Sequence, residues 1–372
     1  MNQTISRDKI IIRTSIIGII ANLVLAGFKA VVGLASHSIA IVLDAVNNLS
    51  DALSSVITIV GTKLAGKAPD KKHPFGHGRI EYLSATIISV IVLYAGITSL
   101  VESVKKILAP ETPDYAPVTL LIVAAAVAVK LILGRYVKST GEKVNSDSLV
   151  ASGADATFDA VISASTLVAA GIYLISGIRL ESWLGAIISV IIIKSGYEML
   201  SDAVSQILGQ RMESELTQSI KKLVCEEPEV RGAYDLILHS YGPELLIGSV
   251  HVEVPDTMTV SQLDELTRRI QHRVFHELHV ALTAVGVYSY NTTDEEAAAI
   301  RRDILERVEA HPYVLQTHGF YLNKETKKIT FDVILDFAAE DRNALHKEIV
   351  REIREAYPEY DIHVAMDTDV SD

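Results

Sequence analysis

The stretch SIAIVLDAVNNLSDALSS, residues 38–55, decides how the first half of this chain is read. It is apolar enough to span a membrane, yet it carries Asp44 and Asn48 four residues apart, on one face of a helix. GADATFDAVISAS, residues 153–165, repeats the arrangement with Asp155 and Asp159. An ionisable side chain at the bilayer centre costs roughly 2.5–3.5 kcal/mol on insertion scales, so three acids in such segments need a reason. Four oxygen donors on two helices can converge on one divalent cation. Asp51, at i+7 from Asp44, and Asn47 beside it are read as supporting groups or gate contacts. Polar packing between helices explains a lone Asn or Asp well. It explains four donors at matched spacing poorly.

Working outward, six apolar segments emerge at roughly 10–33, 38–64, 80–108, 115–138, 149–176 and 183–208. Each is near the ~20 residues that a transmembrane helix needs. Lys194 stands out in the sixth. Basic residues cluster before the first segment (Arg7, Lys9, Arg13), around the 2–3 loop (Lys63, Lys67, Lys71, Lys72, Arg79) and around the 4–5 loop (Arg135, Lys138, Lys143). Lys105 and Lys106 are exceptions, but the bias predicts both termini in the cytoplasm. The first apolar run is too long for a signal-peptide core and is read as a retained span.

From about Met212 the pattern changes. Helix 213–226, strands 233–241 and 245–254, helix 259–278 and strand 282–290 are expected, in the order αββαβ. The order then recurs: helix 294–310, strands 314–322 and 329–337, helix 340–356, strand 360–366. Three domains are therefore expected: 1–210, a six-helix membrane domain; 211–292, a first α+β module; and 293–372, a second.

The charge follows this division. Residues 1–210 hold 17 basic and 15 acidic side chains, and residues 211–372 hold 17 and 31. Mean hydropathy is +0.29 although 22% of residues are charged. The acidic half argues against nucleic acid, which calls for a basic face. It suits surroundings that attract cations. A single cysteine, Cys225, excludes an intramolecular disulfide and a Cys-rich metal motif. No nucleotide loop, nucleophile–base set or hydrolytic constellation supports an enzyme, and no cofactor is expected.

SIAIVLDAVNNLSDALSS, HPFGHGRIEYLSA (73–85) and GADATFDAVISAS together resemble the cation diffusion facilitator family of divalent-metal/proton antiporters, over about residues 8–292. The resemblance implies a polytopic α-helical membrane protein of six transmembrane helices, with cytoplasmic α+β ferredoxin-like modules of αββαβ order, here two in tandem. It implies a homodimer in the cell membrane, and a transport site of Asp44, Asn48, Asp155 and Asp159 that opens alternately to the two sides. Zinc-transporting members usually place His at the position of Asp155 and Asp at that of Asn48. The set in this chain looks like the manganese branch. Oxygen-only donors point the same way, since they suit hard ions while imidazole suits zinc. Mn²⁺ against protons is therefore the expected exchange, with Zn²⁺, Fe²⁺ and Co²⁺ as alternatives. A membrane-anchored metal sensor without flux is the competing reading, although it has no use for ligands inside the membrane.

Further candidates are less specific. Asp70, His73 and His77 in the 2–3 loop offer a peripheral metal site, or simply shape the loop. His251 matches a position at which the family's soluble domains bind regulatory metal, but Tyr234 and Tyr288 stand where relatives often have His. His251 and Glu253 share one strand face, opposite Val250, Val252 and Val254. His272, His276 and His279 form a stripe that is more often a packing surface. His311, His318, His346 and His363 are scattered and carry no pattern.

Overall fold

The computed structural model describes residues 2–35, 39–109, 117–176, 180–243 and 245–367. Side chains are described over the same residues except 2–6, 33, 35, 39–44, 46–47, 50, 117–119, 166 and 181. The chain divides into two compact units, 1–210 with 241–244, and 211–240 with 245–372.

The first unit is helical: α1 (Asn2–Ala35), α2 (Ile39–Ala65), α3 (Ile80–Leu108), α4 (Pro117–Lys143), α5 (Asp147–Ser176) and α6 (Glu181–Leu208). These match the six expected segments. The main difference is α1, which begins eight residues early because the polar N-terminal stretch continues the helix. Among the described residues, five of the six are long and apolar enough to cross a membrane. α2 is 27 residues long. Val31, Leu121, Ile132 and Ile175 stand exposed around the unit. In lipid this is the solvated face, since a bilayer asks only that backbone polar groups be paired internally.

α4 packs closely on α5, α1 on α2 and α3 on α6. Small residues allow the first of these approaches. A Cβ at Gly141 would stand 2.7 Å from the Val150 nitrogen, one at Gly134 would stand 2.9 Å from the Thr157 nitrogen, and one at Gly153 would collide with the Lys138 backbone. Without a hydrophobic force between helices in lipid, such close backbone packing is a main source of association. It seats the Asp155–Asp159 segment against α4. At one end of the bundle, Arg7 donates to both carboxylate oxygens of buried Glu81, at 2.8 and 3.0 Å, and to the carbonyls of Val144 and Asn145 at 2.7 Å each. One fork-shaped cation thereby links α1, α3 and the α4–α5 turn.

The second unit contains α7 (Ser214–Cys225), β1 (Gly232–Ser240), β2 (Leu246–Pro255), α8 (Val260–Leu278) and β3 (Val280–Tyr290). There follow α9 (Glu295–Glu309), β4 (Val314–Asn323), β5 (Lys328–Leu335), α10 (Arg342–Ala356) and β6 (Asp361–Asp367). Both αββαβ runs form, each with boundaries within two residues of expectation. Each run builds a three-stranded sheet with an antiparallel first pair and a parallel second pair, in the order β1-β2-β3 and β4-β5-β6. Separate cores form under each sheet, one around Val250, Val252, Leu266 and Ile270, the other around Ile304, Phe331, Val333 and Ile349. Helix starts are locally encoded. Thr259 and Gln262 make a reciprocal capping box before α8, and Asp294 and Asp341 cap α9 and α10.

As the alternation of β2 requires, Val250, Val252 and Val254 are buried. The opposite face, which carries His251 and Glu253, is not uniformly exposed. Glu253 is also buried, because Arg301 of α9 donates to it at 2.9 Å. The outer face of the first sheet is covered by the second run.

Candidate metal-transport site

α2 and α5 pack against one another, which brings the two donor-bearing helices together. Asp44 and Asn47 lie on α2, but their side chains fall outside the described residues. Asn48 is fully buried, and among the described residues neither its amide nitrogen nor its carbonyl oxygen has a hydrogen-bond partner. An unpaired buried amide costs about 1–3 kcal/mol. Such a group calls for an explanation, such as an ordered water or an ion. Asp155 is buried on α5 and lines a small pocket together with Asp51, Asn22, Ser55 and Ser152. This pocket offers ≈ 10 Å³, about the space one water needs. Hydrophobic Leu133 and Val137 complete its wall, so charge inside it is poorly screened.

One ligand candidate is engaged with a group the sequence reading missed. Lys130, buried in the middle of α4, places its ammonium 2.6 Å from Asp159 Oδ2 and 2.7 Å from Asp51 Oδ2. Asp51 is thus joined to the Asp159 carboxylate by a shared cation carried on a third helix. A lysine inside a predicted span was signal enough to flag it, by the same cost argument that flagged the acids. Lys194, singled out instead, lies exposed, 3.6 Å from Glu198 one turn on.

In the loop between α2 and α3, Asp70, His73 and His77 do come together, with candidate ligand atoms all within 4.8 Å. Asp70 stands 3.4 Å from His73 Nδ1 and 3.5 Å from His77 Nε2. The backbone N–H groups of His73 and Lys72 donate to Asp70 Oδ1 at 2.8 Å each, with the His73 bond the stronger influence, and hold its carboxyl below the usual range. His251 in β2 is partly exposed; its Nδ1 lies 3.2 Å from Asp235 Oδ2, and its ring stacks on Tyr288. The His272–His276 pair is in ring contact at 4.1 Å, but His279 leaves the helix as a left-handed cap, so the stripe is broken.

A family model described as the cation efflux transmembrane domain matches residues 15–208, over half of the chain. The chain belongs to the cation efflux family. A second model, the cytoplasmic domain of cation efflux proteins, matches residues 212–285. This family membership makes the chain a membrane metal-efflux transporter and identifies the second unit's first run as the family's cytoplasmic dimerisation domain. No catalytic family is indicated. The manganese efflux system protein MneP of Bacillus subtilis is 25% identical over 293 residues, 76% of this chain and 98% of that protein. The manganese efflux system protein MneS of the same organism is 27% identical over 268 residues, 71% of this chain and 90% of that protein. The magnetosome protein MamB of a Magnetospira strain is 25% identical over 266 residues, 70% of this chain and 90% of that protein. Both family models end before the second αββαβ run.

Proposed function

We propose that this cation efflux protein exports Mn²⁺ from the cytoplasm in exchange for protons. It does so by alternating access, as a homodimer in the cell membrane with both termini cytoplasmic. The metal is the substrate, and Asp44, Asn48, Asp155 and Asp159 are its ligands. The observation that carries this reading is the unpartnered, fully buried Asn48 amide on a helix packed against the one bearing Asp155 and Asp159. Manganese is favoured because the four side chains offer only oxygen in their metal-binding role, and because two relatives are named as manganese efflux proteins. Carboxylates that release the ion can take up protons in its place, which couples the two fluxes through one site. Asp70, His73 and His77 are proposed as a weaker peripheral metal site in the loop.

Purified protein in vesicles with a transmembrane pH gradient tests this reading. Mn²⁺ uptake should follow the gradient and collapse when a protonophore removes it. Gradient-independent Mn²⁺ flux rules out proton exchange, and no flux of any divalent metal returns the chain to the sensor reading. In the same assay, Asp155→His should move the Zn²⁺:Mn²⁺ preference towards zinc by about tenfold, corresponding to about 1.4 kcal/mol. An imidazole favours zinc at one coordination position. An unchanged ratio removes Asp155 as the selectivity determinant.

A further inference from the structure

The second unit contains a polar cluster that neither family model covers in full. β1 is irregular between Tyr234 and Ile237, and β4 is irregular at the corresponding place, between His318 and Tyr321. Asp235 sits in the first irregularity with φ +50°, and Gly319 in the second with φ +64°. Left-handed backbone is uncommon for a residue with a side chain, although Asp tolerates it. Bulges of this kind re-aim side chains and are frequent near functional sites. Here both irregularities face the junction of the two αββαβ runs. A Cβ on Gly319 would stand 2.8 Å from Asp332 Oδ2, so the close approach relies on glycine in both space and conformation.

His318 is 3% exposed, and its ring stacks on Tyr234 at 5.2 Å. A buried histidine used only for packing has its nitrogens hydrogen-bonded. Among the described residues, neither nitrogen of His318 makes a well-aligned hydrogen bond, nor does Asp235 Oδ1. Nε2 nonetheless stands 2.7 Å from that oxygen and 3.9 Å from Asp367 Oδ2 at the end of β6. The three candidate ligand atoms all lie within 4.8 Å of one another. Nitrogen and oxygen ligands held 2.0–2.2 Å from one ion lie at most about 4.4 Å apart, so only a small adjustment separates this arrangement from coordination. Asp235 is also positioned from behind. Tyr288 donates to its Oδ2 at 2.5 Å, and His251 Nδ1 lies 3.2 Å from the same oxygen. Burial acts to raise the Asp235 carboxyl, but the His318 and Tyr288 contacts outweigh it and hold it below its usual range. Asp332, paired in register with His318, adds a third carboxylate.

We propose that Asp235, His318 and Asp367 form a divalent-cation site between the two α+β modules of a single chain, with His251 and Tyr288 orienting Asp235. One imidazole and two carboxylates suit a borderline divalent ion such as Zn²⁺ or Mn²⁺. The bound ion fastens the second module, which supplies His318 and Asp367, to the first, which supplies Asp235. The site stands independently of which ion the membrane helices carry.

Equilibrium dialysis of the full-length protein with Zn²⁺ tests it, in an Asp159→Ala background that weakens the membrane site. Adding His318→Gln should lower the bound Zn²⁺ by one equivalent per chain. Adding Asp367→Asn, at a half-exposed position, should weaken one class of site by about 10–100-fold. Unchanged stoichiometry and affinity in both variants overturn the proposal. If His318→Gln does not elute as a folded species, Asp367→Asn decides alone, and an unchanged isotherm there is equally fatal.

Discussion

Asp159→Ala is expected to bring proton-driven Mn²⁺ uptake by reconstituted vesicles down to that of protein-free vesicles, a loss above about 100-fold. Removing a group that merely supports a metal ligand costs about 10–100-fold, and loss of a ligand should exceed it. The substitution also takes one of two carboxylates from Lys130, which remains paired with Asp51 at 2.7 Å. Buried charge is therefore not left stranded, and the variant should fold. Asp159→Asn is the companion measurement: it keeps an oxygen for Lys130 and for the ion but removes the charge. Its flux should fall by at least about tenfold, or about 1.4 kcal/mol. A folded Asp159→Ala protein that transports at the wild-type rate would remove α5 from the pathway and the proposed site with it.

The second large effect is expected at Lys130. Its ammonium lies within 2.7 Å of two carboxylates in an apolar bundle, and under the proposed function it competes with the metal for Asp159. Lys130→Met leaves Asp51 and Asp159 facing each other without a cation. Breaking a buried pair in this way costs about 3–5 kcal/mol. The metal-free protein should therefore melt at a markedly lower temperature, while saturating Mn²⁺ recovers much of the loss because the ion supplies the missing charge. Mn²⁺ affinity, read by calorimetric titration in detergent, should rise by at least about tenfold. Transport should nevertheless slow, since release loses the tethered cation that takes the metal's place. Weaker Mn²⁺ binding together with unchanged metal-free stability would mean that Lys130 positions the ligands and does not compete with the ion.

Much of this molecule could be read before any coordinates. The six apolar runs mark six helices because a span leaves a compositional trace about twenty residues long. The two αββαβ runs were also visible, since period-2 alternation and capping residues are local signals. Val250, Val252 and Val254 face inward as their spacing demands, and Thr259 and Gln262 cap the helix they precede. The Asp155–Asp159 spacing was enough to place both on one face of α5. What required the folded chain was every pairing between residues distant in sequence. Glu253 shares a strand face with His251, and nothing local shows that it is buried there or that Arg301 of the second module meets it. Lys130 lies 29 residues from Asp159 and 79 from Asp51, so nothing local links them. His318 is one of four scattered histidines, and Asp235 is an acid within β1 that no spacing singles out. The matching irregularities in β1 and β4 aim them at each other across the two modules. Spacing along one element shows which face a side chain takes. Which other element that face meets depends on tertiary packing, because the free energy of the contact resides in both partners together.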